Sequence, residues 1–292
     1  AEVKAVNAAN KTIETTIGEF DYDYLIIATG SKTNFYGNTQ IEENALGLKS
    51  TYQAINVRNY LLSNFEKLLY KKEKEALHNI VIVGGGATGV ELAGSFIEIK
   101  KDVLPKDYPN IDVDKVNVYL LEGGPHTLSA MSKFSQNYSE KYLRTMGVNV
   151  KTGVIVENYD GETLTLNNGE VIQSRCVIWS AGVIGNMING IPAESVVRGN
   201  RIKVDRQNKV QGIEDVFAIG DIAYMETEKY PKGHPQAANV AIGQGKTVAK
   251  NLNAIERGKT SQHAYEYRNL GAMATVGRNK AVVDFPFINL RG

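Results

Sequence analysis

Cysteine is almost missing from this 292-residue chain. Cys176 stands alone, which excludes a disulfide framework, a paired-cysteine redox motif and any cysteine-based zinc site. Histidine is nearly as scarce, and His78, His126, His234 and His263 never fall at metal-ligand spacing, so no metal site is expected. No apolar run approaches the roughly 18 residues of a membrane span, and no signal peptide is expected from the first residues given. A reduced, soluble, cytosol-facing chain is therefore expected. Neither sign of charge dominates: 33 Lys+Arg against 32 Asp+Glu leave a net +1. Nucleic acid is not expected as a partner, because phosphate neutralisation needs clustered cations. Proline is scarce (7) and glycine abundant (28), which suits an α/β fold with many tight strand–helix turns. The length predicts two domains, each able to bury a core.

What is present begins with a repeat. Lys11–Gly30 and Glu162–Gly182 each read as an alternating strand, a Gly-Glu turn (Gly18-Glu19, Gly169-Glu170), a return strand, and an apolar strand ending in small residues and glycine. The apolar strands, Leu25–Ile27 and Cys176–Ile178, have the composition of buried parallel-sheet strands. Two unrelated hairpins would share the alternation; the shared punctuation favours duplication. Upstream of the second copy lies a strand, a glycine loop and a helix, whereas only about ten residues precede the first. The chain is thus expected to be an N-terminally shortened fragment. Between the copies, Tyr52–Leu77 carries Leu61, Phe65, Leu68 and Leu69 at helical spacing and reads as an amphipathic helix. Lys100–Lys115, with Pro105 and Pro109, reads as a charged surface excursion without chemistry.

The glycine loop is Gly84-Gly-Gly86-Ala87-Thr88-Gly89. It follows the apolar strand Ile80–Val83 and precedes a helix expected from Val90. That context gives each glycine a purpose: the first permits the turn, the second lets backbone approach a pyrophosphate, and the third lets helix and strand pack closely. The pyrophosphate would sit at the helix N-terminus. The strand Val116–Leu121 ends in Glu122, whose carboxylate can accept both adenosine ribose hydroxyls and would repel a 2′-phosphate, favouring NADH over NADPH. Its distance from Gly89, 33 residues, exceeds the usual figure of about 20, and the Lys100–Lys115 excursion accounts for the excess.

A second site candidate is Asp215–Asp221, an apolar strand ending in Gly220-Asp221, where an aspartate can hydrogen-bond a polyol such as ribitol. Pro235–Leu252 downstream reads as a helix with proline in its first turn.

Together, Ala28-Thr29-Gly30, Gly84–Gly89 with Val90-Glu-Leu-Ala93, Ile178–Val183, Ala218–Asp221 and Leu270–Val283 resemble the two-dinucleotide-fold flavoprotein reductases, the pyridine nucleotide-disulfide oxidoreductase superfamily. Within them the chain is most similar to the type II NADH dehydrogenases, single-subunit NADH:quinone oxidoreductases. The resemblance implies an α/β chain of two Rossmann-like domains: an incomplete FAD domain from residues 1–32 and 186–292, the latter including the start of a C-terminal region, with an NADH domain, residues 33–185, inserted. It implies that Gly84, Gly86, Ala87, Thr88, Gly89 and Glu122 hold NADH, with Gly182 near the nicotinamide. Ala28, Thr29, Gly30, Gly220 and Asp221 would lie at FAD. Glu91 matches a glutamate close to the flavin–nicotinamide stack; it is either a proton-handling group or a first-turn acid complementing the helix dipole.

Three departures accompany the resemblance. The FAD glycine fingerprint is absent from the sequence. Of the glutamines usual in Pro235–Gly245 near the quinone, two places hold Asn239 and Gly243, while Gln244 is retained. Third, the family's C-terminal membrane-binding helices are expected to follow Gly292, so peripheral attachment to the cytoplasmic side of the inner membrane would belong to the full-length protein, as would homodimer pairing. The expected activity is electron transfer from NADH through FAD to a quinone. The alternatives are reduction of a ferredoxin- or rubredoxin-type acceptor and a redox-silent NAD-binding module.

Overall fold

The computed structural model describes residues 1–70, 75–259 and 262–292. They fall into two compact units: Ala1–Lys32 with Val183–Arg268, and Thr33–Gly182 with Asn269–Gly292. In chain order, β1 (Val3–Asn7), β2 (Thr12–Thr15), β3 (Gly18–Asp21) and β4 (Leu25–Ile27) open the first unit, and β5 (Ser31–Thr33) leads out of it. The second unit continues with α1 (Thr39–Asn44), β6 (Leu46–Gly47), α2 (Thr51–Leu68), α3 (Glu75–His78), β7 (Asn79–Val83), α4 (Ala87–Glu98), α5 (Leu104–Asp107), β8 (Asn117–Glu122), α6 (Lys133–Met146), β9 (Asn149–Thr152), β10 (Val156–Tyr159), β11 (Thr163–Leu166), β12 (Val171–Gln173) and β13 (Cys176–Trp179). The first unit resumes with β14 (Val183–Gly185), β15 (Val196–Val197), β16 (Arg201–Val204), β17 (Val216–Ala218), β18 (Ala223–Met225) and α7 (Ala238–Glu256). The second closes with β19 (Ala272–Thr275), β20 (Ala281–Asp284) and β21 (Asn289–Arg291).

The centre of the second unit is a parallel sheet in the order β6-β13-β7-β8-β9. Its interior strands read as continuous apolar runs because both faces are covered: every residue of β7 and of β13 is buried. Val57, Leu61, Phe65 and Leu68 of α2 join the core, and Ser50 and Gln53 close a capping box at that helix's start. Leu69 is exposed, and residues 71–74 of the expected Tyr52–Leu77 helix lie outside the described residues. The Lys100–Lys115 stretch is more than a surface excursion. It extends α4 through a π-turn, Ile99–Val103, into α5, and buries Leu104 and Ile111 in the core.

The repeat has a structural counterpart. β2-β3 and β11-β12 are antiparallel hairpins, each followed by a strand of a parallel pairing. The two apolar strands differ in burial, however. β13 lies between β6 and β7, whereas β4 is hydrogen-bonded to β17 in a two-stranded sheet and leaves Ile26 exposed.

Residues 269–292 do not join the unit that holds residues 186–268, as the expected boundaries had it. Ala274, Val276 and Val282 enter the second unit's core beside Val90 and Ala93. Asp284 accepts hydrogen bonds from the Ser132 amide (2.5 Å), the Ser132 hydroxyl (2.8 Å) and the Ser135 hydroxyl (2.6 Å) at the start of α6. A carboxylate seated on a helix N-terminus is favourable electrostatically, and apolar burial supplies the rest.

Candidate nucleotide-binding sites

In the second unit the loop Gly84–Gly86 runs directly into α4, which begins at Ala87 and not at Val90. Ala87, Thr88 and Gly89 therefore form the helix's first turn, where backbone N–H groups have no intrahelical acceptor. The N-cap, Gly86, provides no side-chain cap. The three glycines answer to different neighbours. A Cβ on Gly84, which sits at φ +109°, would lie 2.6 Å from the Ala181 nitrogen, and one on Gly89 would lie 1.8 Å from the Gly84 oxygen. Both are demanded by the chain's own packing. A Cβ on Gly86 would meet nothing within 4 Å. Its want of a side chain serves the open space in front of the helix, where a pyrophosphate would lie.

Glu122 ends β8 and is half-buried. Its Oε2 accepts from the Gly85 amide and its Oε1 from the Gly124 amide, both at 2.6 Å. The carboxylate thus ties two loops together. Each carboxylate oxygen has a second lone pair, so this tie leaves acceptor capacity for ribose hydroxyls. Glu122, the glycine loop and the Ala181–Gly182 turn line one cavity of about 690 Å³ at the carboxyl ends of β8, β7 and β13. Ligands bind at such strand ends in open parallel sheets. The apolar wall includes Trp179 and Phe35, whose rings stand 5.9 Å apart.

Glu91 lies in the second turn of α4, so the dipole role of a first-turn acid does not apply. Its Oε1 accepts from the Thr275 amide (3.2 Å) and hydroxyl (3.3 Å), joining α4 to β19. Cys176 is fully buried in β13, and burial pushes its thiol up to about 12, which leaves it an inert core residue.

In the first unit, β4 and β17 pair in parallel with Ile27 opposite Ala218, so Ala28–Gly30 and Ile219–Asp221 emerge side by side. Gly30 and Gly220 both turn through the left-handed region, at φ +68° and +73°. The Ser31 hydroxyl donates to Asp221 Oδ2 at 2.7 Å. The Thr29 hydroxyl and the Gln244 side-chain nitrogen are buried without a hydrogen-bond partner, as a polar ligand at this turn would explain. These residues fit the ribitol half of a flavin nucleotide.

Gln244, retained at an expected quinone position, is wholly buried and accepts the Gly220 amide at 2.7 Å. Gly243 makes room for Tyr265, whose ring would stand 2.5 Å from a Cβ there. Asn239 is exposed on α7. Pro235 precedes α7 and lies outside its first turn, because the helix begins at Ala238 after an extended Ala237. No local pattern marks Arg201, a buried arginine that donates to the carbonyls of Asp221, Ala223 and His234. Among the described residues, no cluster of His, Cys, Asp or Glu could hold a metal, and no helix is long and apolar enough to cross a membrane.

The family model of the pyridine nucleotide-disulphide oxidoreductases matches residues 1–245. The chain belongs to that family. A Mycobacterium tuberculosis protein named type II NADH:quinone oxidoreductase Ndh is 32% identical over 289 residues, covering 93% of this chain and 60% of that relative. Among solved structures, NDH2 from Plasmodium falciparum in complex with NADH superposes over 100% of this chain and 76% of its own, with a TM-score of 0.90 at 19% identity. A ferredoxin reductase from Rhodopseudomonas palustris covers 96% of this chain and 62% of its own, at TM-score 0.74 and 17% identity. At those identities the two structures establish the shared two-dinucleotide α/β fold and nothing finer. The chain spans 60% of the mycobacterial relative's length.

Proposed function

We propose that this chain carries the NADH site and the ribitol half of the FAD site of a type II NADH:quinone oxidoreductase, which passes electrons from NADH to a quinone. The observation that carries the reading is the cavity running from Glu122 past an unobstructed Gly86 to Gly182. Its support within the family is the 32% identity to a protein of that name.

The residues divide the work. The first turn of α4 receives the pyrophosphate on Gly86, Ala87, Thr88 and Gly89 amides, the helix dipole favouring the anion. Glu122 accepts the adenosine ribose hydroxyls and disfavours a 2′-phosphate, which selects NADH. Gly182 lies near the nicotinamide. Asp221, steadied by Ser31 and Arg201, takes the ribitol hydroxyls, while Ala28, Thr29, Gly30 and Gly220 surround the same nucleotide. Bound FAD would supply two-electron acceptance from NADH and delivery to the acceptor. Glu91, whose carboxylate accepts from Thr275, serves in this reading as a proton-handling group. The resemblance adds a peripheral setting on the cytoplasmic side of the inner membrane and homodimer pairing.

Steady-state NADH oxidation by the FAD-supplemented chain, with a soluble quinone or a ferredoxin as acceptor, tests the reading. Quinone turnover is expected. Turnover with ferredoxin alone would make the protein a reductase of an iron–sulfur partner, and NADH binding without any turnover would make it a redox-silent module.

A further inference from the structure

β8, β7 and β13 are consecutive neighbours in the sheet, about 4.8 Å apart in general. Glu122 ends the first and the glycine loop the second, while Ala181 and Gly182 follow the third. A dinucleotide laid across these ends, with its adenosine ribose at Glu122 and its pyrophosphate at Gly86, brings its nicotinamide half to Ala181–Gly182. This placement rests on the NADH reading proposed above. The nicotinamide bears a carboxamide, whose N–H groups need an acceptor, and the cavity wall there is mostly apolar.

The Ala181 carbonyl is such an acceptor, and of its two lone pairs the one on the cavity side is already engaged by a residue that lines the same cavity. The Tyr36 hydroxyl donates to it at 2.5 Å. The same hydroxyl stands 2.8 Å from where a Cβ on Gly182 would be, so the phenol fills the space left by that glycine. Tyr36 is 69% exposed and lines the same cavity. Its φ of +54° is unusual for a tyrosine and costs free energy. The backbone around it is pinned: the Asn34 amide donates to the Gly182 carbonyl, Trp179 donates to the Asn34 carbonyl, and the Asn38 side chain donates to the Glu157 carbonyl. The loop therefore stays in place while an exposed side chain, held at its tip by one hydrogen bond, is free to rotate away.

We propose that Tyr36 sets the affinity for the nicotinamide half of the ligand by occupying the Ala181 carbonyl until the carboxamide displaces it. The apparent affinity of a ligand is reduced by the fraction of protein in the occupied state. A hydroxyl–carbonyl bond of ordinary strength makes that reduction about two- to tenfold.

The test is calorimetric titration of the chain and its Tyr36→Phe variant with NADH and with ADP-ribose, which lacks the nicotinamide. The Tyr36→Phe variant keeps the ring and loses only the competing donor. It is expected to bind NADH about two- to tenfold more tightly, with ADP-ribose affinity unchanged. NADH affinity that is unchanged or weaker in the variant overturns the proposal, as does an equal gain for both ligands. Failure of the unaltered chain to bind ADP-ribose would instead overturn the NADH reading, and the proposal with it.

Discussion

A Cβ on Gly86 would point into open space, whereas one on Gly89 would collide with the Gly84 carbonyl. The two glycines should therefore fail differently. Gly86→Val is expected to keep the melting temperature of the unaltered chain and to lose NADH binding; a variant that still binds would make the loop purely structural. Gly89→Ala is expected to lower stability by about 1–3 kcal/mol, the usual cost of overpacking, in a urea titration. Glu122→Ala should weaken NADH about ten- to a hundredfold and narrow the preference over NADPH, since a hydrogen bond to a charged group contributes about 1.5–3 kcal/mol. An unchanged NADH dissociation constant would show that Glu122 does not reach the ribose. The pattern of glycines and a strand-terminal acid was readable in advance because sequence spacing alone places them. That Glu122 also ties Gly85 to Gly124 was not, because it depends on where two loop amides point after folding. Tyr36 and Arg201 were invisible for the same reason: their partners are main-chain carbonyls far away in sequence.

At the level of elements, periodicity and punctuation found β7, β8, β13 and α2, all defined by local apolar pattern. Whether an apolar strand is buried depends on neighbours, and so β4 and β13 looked alike in sequence and differ in exposure. The assignment of β19–β21 also needed long-range contacts. The clamp of Asp284 on the α6 start gives that assignment a pH signature. Burial works against the Asp284 carboxylate, but the hydrogen bonds from Ser132 and Ser135 outweigh it and hold the group below its ordinary 3.8. A carboxylate with a depressed folded value adds stability above the unfolded value and loses it as pH falls through the folded one. The gap in melting temperature between the unaltered chain and Asp284→Asn should be full above about pH 5 and shrink below pH 3.8. A gap that persists unchanged at low pH would mean that the ionised form is not what matters. Glu91→Gln keeps an acceptor for Thr275 and should leave the melt unchanged, whereas Glu91→Ala should cost about 0.5–1.5 kcal/mol, the ordinary net contribution of an exposed hydrogen bond. If the two variants melt alike, Thr275 is not held through Glu91.

For the molecule as a whole, one unit holds the cleft proposed for NADH and the other the aspartate turn proposed for a polyol, in a chain of the pyridine nucleotide-disulphide oxidoreductase family. The central claim is that NADH bound at Gly84–Gly89 delivers electrons to a flavin on this chain. The most direct measurement is the absorbance spectrum of the purified, FAD-supplemented chain before and after NADH is added without oxygen. The account predicts a flavin spectrum that bleaches with NADH and returns when a quinone is added. A chain that binds NADH yet holds no flavin, or holds one that stays oxidised, would contradict it.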